Sequence, residues 1–107
     1  MPTKVESYRD LEVWQRAMDL AVAAHRLTES FPSHQQFGLR TQLQRAAMSV
    51  PSNIADGHGR SSTREYLHHL AIAHGSLMEL ETQVGLAVRL KIVQAPVAED
   101  VLKAAAE

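Results

Sequence analysis

Apolar residues recur along this chain in steps of three and four. After Asp10 they fall at Val13, Ala17, Leu20, Ala24, Leu27 and Phe31, with Trp14, Met18 and Ala21 widening the stripe. That period places them on one face of an α-helix. The opposite face carries Glu12, Arg16, Asp19, Arg26 and Glu29, with Glu12 and Arg16 four apart in the order that favours an ion pair. Phe31-Pro32 closes this helix, because the residue before a proline is pushed out of the α region. The pattern predicts a first helix over 10–30, preceded by an arm over 1–9.

Ser33 with Gln36 reads as a capping box opening a second helix over 34–56, whose inward positions are Leu39, Leu43, Ala46, Ala47, Val50 and Ile54. Pro51 lies inside that pattern. A proline in a helix interior removes one backbone hydrogen bond and costs roughly 3 kcal/mol, so a kink or a division is expected there. Gly57 and Gly59 read as the C-terminal stop.

Ser62 and Glu65 form a second capping box. The third helix, over 62–93, has the strongest period in the chain: Tyr66, Leu70, Ala73, Leu77, Leu80, Val84 and Ala87. Its flanks are also apolar, with Ile72, Leu86 and Leu90 on one side and Leu67, Met78 and Val88 on the other, which is more than one neighbour needs. Gly75 and Gly85 each weaken a helix by about 1 kcal/mol relative to alanine and imply a close backbone approach. Pro96 at a first helical position, followed by Glu99 and Asp100, opens a short fourth helix over 96–106 with Val97, Val101, Leu102 and Ala105 facing inward. No strand alternation competes. Short links between four amphipathic segments imply an all-α fold, a single antiparallel up-down-up-down four-helix bundle spanning residues 1–107.

Composition sharpens this reading by exclusion. Cysteine is absent, so there is neither a disulfide framework nor a thiolate metal site. No apolar run is long enough for a signal peptide or a membrane span, which points to the cytoplasm. The formal net charge is −1, but the segment from Ser30 to Arg64 carries +3 through Arg40, Arg45, Arg60 and Arg64 against Asp56, leaving −4 elsewhere. Repeated around an oligomer, that segment becomes a positive ring suited to phosphates. Arg60, Arg64 and His68 are spaced by four and so fall on one face of the third helix's start. The competing reading pairs these arginines with Asp56, Glu79 or Glu81.

Three ordered motifs carry a resemblance: Tyr8-Arg9-Asp10-Leu11-Glu12-Val13-Trp14-Gln15-Arg16-Ala17, Gly38-Leu39-Arg40-Thr41-Gln42-Leu43-Gln44-Arg45-Ala46-Ala47, and Ser49-Val50-Pro51-Ser52-Asn53-Ile54-Ala55-Asp56-Gly57. With Gly59-Arg60-Ser61, Leu70-Ala71-Ile72-Ala73 and Gly75-Ser76-Leu77-Met78-Glu79-Leu80-Glu81-Thr82, the chain over 8–93 resembles the four-helix bundle proteins first noticed as reading frames within intervening sequences of 23S ribosomal RNA genes. The resemblance implies a homopentamer. It also implies kinship with the accessory protein of diversity-generating retroelements, which binds nucleic acid and a reverse transcriptase, and it does not imply an enzyme. Asp56 and His74 depart from the family, where glutamate and arginine are commoner, and the missing arginine at position 74 weakens an inherited RNA contact.

Two readings stand for the segment around Ser49, Pro51, Asn53, Asp56 and Gly57: a kink whose freed carbonyl is satisfied by Ser52, Asn53 or a neighbouring helix, or a ligand contact. Gly57-His58-Gly59-Arg60 follows a helix rather than a strand, which excludes a nucleotide-binding loop, whereas the arginines and the free N–H groups that open the third helix suit an anion. Glu65-x-x-His68 occurs in one copy where a di-iron bundle needs two, and no histidine pair has one-turn spacing, so neither metal nor cofactor is expected. No nucleophile motif is present. Trp14, Tyr66, Phe31 and Phe37 read as core anchors, Met18, Met48 and Met78 as core filler, and His25 and His74 as residues bordering the core.

Overall fold

The computed structural model describes residues 7–32 and 37–106, with Phe37 and Ala106 described by their backbone alone. The proposed Ser33 and Gln36 capping box, the Phe37 side chain and most of the N-terminal arm lie outside the described residues.

Four α-helices follow one another: α1 (Glu12–Glu29), α2 (Phe37–His58), α3 (Thr63–Arg89) and α4 (Ala95–Ala106). Among the described residues there is no strand. A 3-10 turn at Tyr8–Asp10 precedes α1, and it is closed by a capping box that the sequence reading did not foresee. In it Ser7 Oγ accepts from the Arg9 N–H at 3.2 Å, and the Ser7 N–H donates to Asp10 Oδ2 at 3.2 Å. Trp14 meets Tyr8 edge-on at 5.3 Å, holding this turn against the start of α1.

Packing is most extensive between α2 and α3, then between α1 and α2, while α4 covers α1 and α3. The main core gathers Leu20, Leu27, Leu43, Leu80, Val84 and Val101. A second, smaller cluster of Ala17, Val50, Ile54 and Ala73, with Trp14 and Leu70 against it, fills the end near the 3-10 turn. The α3 seam lies slightly to one side of the expected one: Ala73, Leu80, Val84 and Ala87 are buried, but so is Ser76, while Tyr66, Leu70 and Leu77 are only partly covered.

Several inward expectations are corrected. Val13, Met18, Met48, Met78 and Val97 are exposed, Met48 by 61%, and His25 and His74 also face out. Among the described residues, no atom beyond the helix's own nearby backbone lies within 4 Å of a Cβ added at Gly75 or Gly85, so none of the other described helices approaches them closely. The predicted Glu12–Arg16 pair forms at 3.0 Å, although both partners are well exposed and such pairs contribute little.

The ends of α3 show two different chemistries. At the start, Ser62 Oγ accepts from the Glu65 N–H at 3.1 Å, the first half of the expected capping box. The helix stops at Arg89, earlier than predicted, through a Schellman arrangement in which the Ile92 N–H bonds Ala87 O and the Lys91 N–H bonds Val88 O, both at 2.9 Å. Lys91 holds the left-handed position, at φ 61°, where glycine is the usual residue.

α2 runs unbroken through Pro51 to His58, so the helix is not divided there. Pro51 is buried, in a stretch whose next turns carry the polar residues facing α3. Gly57 is not the stop that its type suggested. It lies within α2 and is buried, and an added Cβ would meet His69 Cβ at 2.6 Å and Tyr66 Cδ1 at 3.1 Å. Gly59 follows the helix, and its N–H donates to Ala55 O at 3.1 Å.

Candidate functional site

A polar seam runs through the contact between α2 and α3. Ser49 and Asn53 are one turn apart on α2, so both face the same neighbour. Asn53 Nδ2 donates to Ser49 O and to Ser49 Oγ, each at 2.9 Å. Across the helix contact, the buried Ser76 hydroxyl donates to Ser49 Oγ at 2.8 Å. Asn53 Oδ1 lies 3.2 Å from His69 Nδ1, and that same nitrogen is 3.5 Å from Asp56 Oδ2. Asp56 in turn pairs with Arg60 Nη2 at 3.2 Å. The chain of contacts thus begins inside the bundle at Ser76 and ends in solvent at Arg60.

The Ser49, Pro51, Asn53, Asp56 and Gly57 segment therefore acts first as the joint between two helices. A buried hydroxyl or amide costs free energy unless paired, and here Ser49, Asn53 and Ser76 satisfy one another. Asn53 back-bonds to Ser49 O, two residues beyond Ala47, whose carbonyl a proline at position 51 leaves without its usual helical donor. Gly57 lets His69 approach closely enough to complete the seam. Ser76 and His69 were missed from the sequence, although both lie a helical step from Ala73, at three and four residues.

The four arginines do not come together. Arg40 Nη2 donates to Phe31 O at 2.8 Å, tying the first turns of α2 to the end of α1, and its Nε is buried without a hydrogen-bond partner among the described residues. That geometry engages part of the Arg40 guanidinium within the chain. Arg45 is exposed on α2, but twelve residues separate it from Gly57, roughly 18 Å along a helix axis. Arg60 precedes α3 rather than lying on it, which corrects the predicted shared helical face with Arg64 and His68. Arg60, Arg64 and His68 are nonetheless all exposed at the end of the bundle where α2 turns into α3. Arg60 takes the ion-pair alternative, with Asp56 and not with Glu79 or Glu81.

Rings gather at the same end. His58 meets Tyr66 edge-on at 5.8 Å, and His68 meets His69 at 5.8 Å. Among the described residues, no three His, Asp or Glu side chains converge as a metal would require. A second polar link, Gln44 Nε2 to Thr28 Oγ1 at 2.8 Å, joins α2 to α1 inside the core. An open groove of about 140 Å³ lies where α4 ends beside α1, lined by Val13, Ala17, Leu20, Val50, Ile54 and Leu77.

Four helices around a small apolar core, with a polar α2–α3 seam and a basic turn at its end, define an all-helical bundle, and among the described residues no helix is long and apolar enough to cross a membrane. The chain belongs to the 23S rRNA-intervening sequence protein family, whose sequence model matches residues 9–107. It is similar in fold to a crystal structure of a protein of unknown function from the S23 ribosomal protein family of Bacteroides thetaiotaomicron, at 21% identity over 88% of each chain, with a TM-score of 0.82. No curated protein matches.

Proposed function

We propose that this chain is a non-enzymatic, self-associating helical bundle of antiparallel up-down-up-down topology, working in the cytoplasm. In this reading it presents nucleic-acid phosphates with the basic end where α2 turns into α3. The observation that carries it is the apolar surface the fold leaves uncovered. On α3 and its C-cap, Ile72, Leu86 and Leu90 form one exposed row and Leu67 and Met78 another, with Met18 and Val22 exposed on α1. Apolar patches beyond a few hundred Å² are uncommon on monomers and mark interaction surfaces, and most soluble oligomers are built from copies of one chain. The family resemblance supplies the pentamer, and with it a reverse transcriptase as a partner by analogy.

For nucleic acid the support is local. Arg64 is exposed in the first turn of a 27-residue helix whose dipole favours an anion, and Arg60 is exposed in the turn before it. A scaffold that binds only protein is the second reading. It is favoured by Arg40, turned inward, and by Arg60, already paired with Asp56.

The two readings separate in a binding titration with an RNA hairpin at low salt. The nucleic-acid reading expects Arg60→Glu with Arg64→Glu to weaken binding about tenfold while helicity is retained, and wild-type affinity to fall steeply with added salt as counterions are displaced. Arg45→Glu, lying apart, should weaken it less. Unchanged affinity in the double variant leaves the scaffold.

A further inference from the structure

Asp56 is shared. Its Oδ2 lies 3.2 Å from Arg60 Nη2 and 3.5 Å from His69 Nδ1, so one carboxylate answers to a permanent cation and to an imidazole, a group that exists in a neutral and a charged form. The state of that imidazole is set by the seam behind it. Ser49 O can only accept, so the Asn53 group bonded to it at 2.9 Å is the NH₂, and Asn53 Oδ1 is the atom that faces His69. Oδ1 also can only accept. His69 Nδ1 therefore carries the hydrogen in the neutral ring, and Nε2 is the bare nitrogen.

A proton arriving at Nε2 breaks nothing in the seam, because the Nδ1–H bond to Asn53 is already made. What changes is the balance around Asp56. With His69 neutral, Asp56 and Arg60 cancel. With His69 charged, the three side chains carry a net positive charge, and the carboxylate is divided between two cations. Asp56 is 53% exposed and Arg60 48%, so both side chains have room to move, whereas His69 is only 15% exposed and is held against Gly57.

We propose that Asp56 and His69 form a proton-controlled latch on Arg60, such that protonation of His69 releases Arg60 to bind phosphate and the site strengthens as pH falls. This rests on the nucleic-acid reading above and adds its regulation. The other titratable and charged groups at this end are known by position. From α2 and the turn after it they are His58 and Arg60. From α3 they are Arg64, Glu65, Tyr66 and His68. From the 3-10 turn and the start of α1 they are Tyr8, Arg9, Asp10 and the Glu12–Arg16 pair. Of these, His58 and His68 are the other imidazoles and serve as the controls.

The test is RNA-hairpin binding by fluorescence anisotropy at fixed ionic strength, at about pH 8 and about pH 5.5. Wild type should bind about fivefold more tightly at the lower pH. His69→Asn, whose amide nitrogen stands at the place of Nδ1, keeps a donor for Asn53 without the charge, and should stay at the weak level at both. Asp56→Asn, which removes the latch and not the cation, should bind tightly at both. The His58→Gln and His68→Gln double variant should keep most of the acid gain. Nitrogen-15 spectra of the imidazoles should show neutral His69 protonated at Nδ1.

Full acid gain in His69→Asn, weak binding of Asp56→Asn at about pH 8, or a neutral His69 protonated at Nε2 each overturns the latch. If wild type binds RNA equally at both pH values, the latch fails and the nucleic-acid reading stands. If no protein binds at either pH, the nucleic-acid reading fails and takes the latch with it.

Discussion

Gly57→Ala is expected to destabilise the bundle by about 2 kcal/mol, although alanine is the better helix former. The new Cβ would stand 2.6 Å from His69 Cβ, an atom fixed to the α3 backbone and unable to swing aside. Relief requires α2 and α3 to separate locally, which stretches the 3.2 Å contact between Asn53 and His69. Helix propensity returns at most about 1 kcal/mol, and less than that near a helix end, so overpacking decides the sign. For a domain of this size the loss corresponds to a fall in Tm on the order of 10 °C, read by thermal unfolding at fixed protomer concentration. An unchanged or higher Tm would show that the two helices are not held this closely.

Leu80→Ala should cost more, about 3 kcal/mol. Leu80 is 0% exposed and belongs to the main core with Leu20, Leu27, Leu43 and Val84. Truncation loses the transfer free energy of three carbons and leaves a cavity whose walls come from several helices, which cannot all close in at once. Chemical denaturation should show a lower midpoint with little change in slope, because the surface exposed on unfolding is nearly the same. A loss below about 0.5 kcal/mol would mean that Leu80 lies at a surface and that the core is wrongly drawn.

How far these features were legible in the sequence depends on the range of the interaction. Four helices and their order follow from apolar spacing and from local signals such as Ser62, Pro32 and Pro96, all of which act within a turn or two of chain. Features set by a neighbouring helix were harder to read. Gly57 has the residue type of a stop signal, and only the position of His69 on another helix shows that it is a close approach. Ser76 looked like a polar interruption of the α3 seam until Ser49 stood opposite to accept its hydrogen bond.

The arginines show the same limit. Their spacing and net charge were visible, but Arg40 reaches Phe31 O because the first turns of α2 stand beside the end of α1, and no charge count contains that. Asp56 as the partner of Arg60 was among the alternatives, since i,i+4 spacing is local; the proximity of His69 to both was not. Lys91 in a left-handed position was missed for the opposite reason, that the residue type there is not the one the geometry usually selects.

The proposed self-association would cover the exposed rows on α3 and α1 and bring the basic ends of several copies together. Light scattering at micromolar concentration measures it directly. The account predicts about five times the chain mass of 11.8 kDa. A dimer or tetramer would correct the inherited number alone, whereas a stable particle of 11.8 kDa would contradict the claim that these apolar faces meet one another.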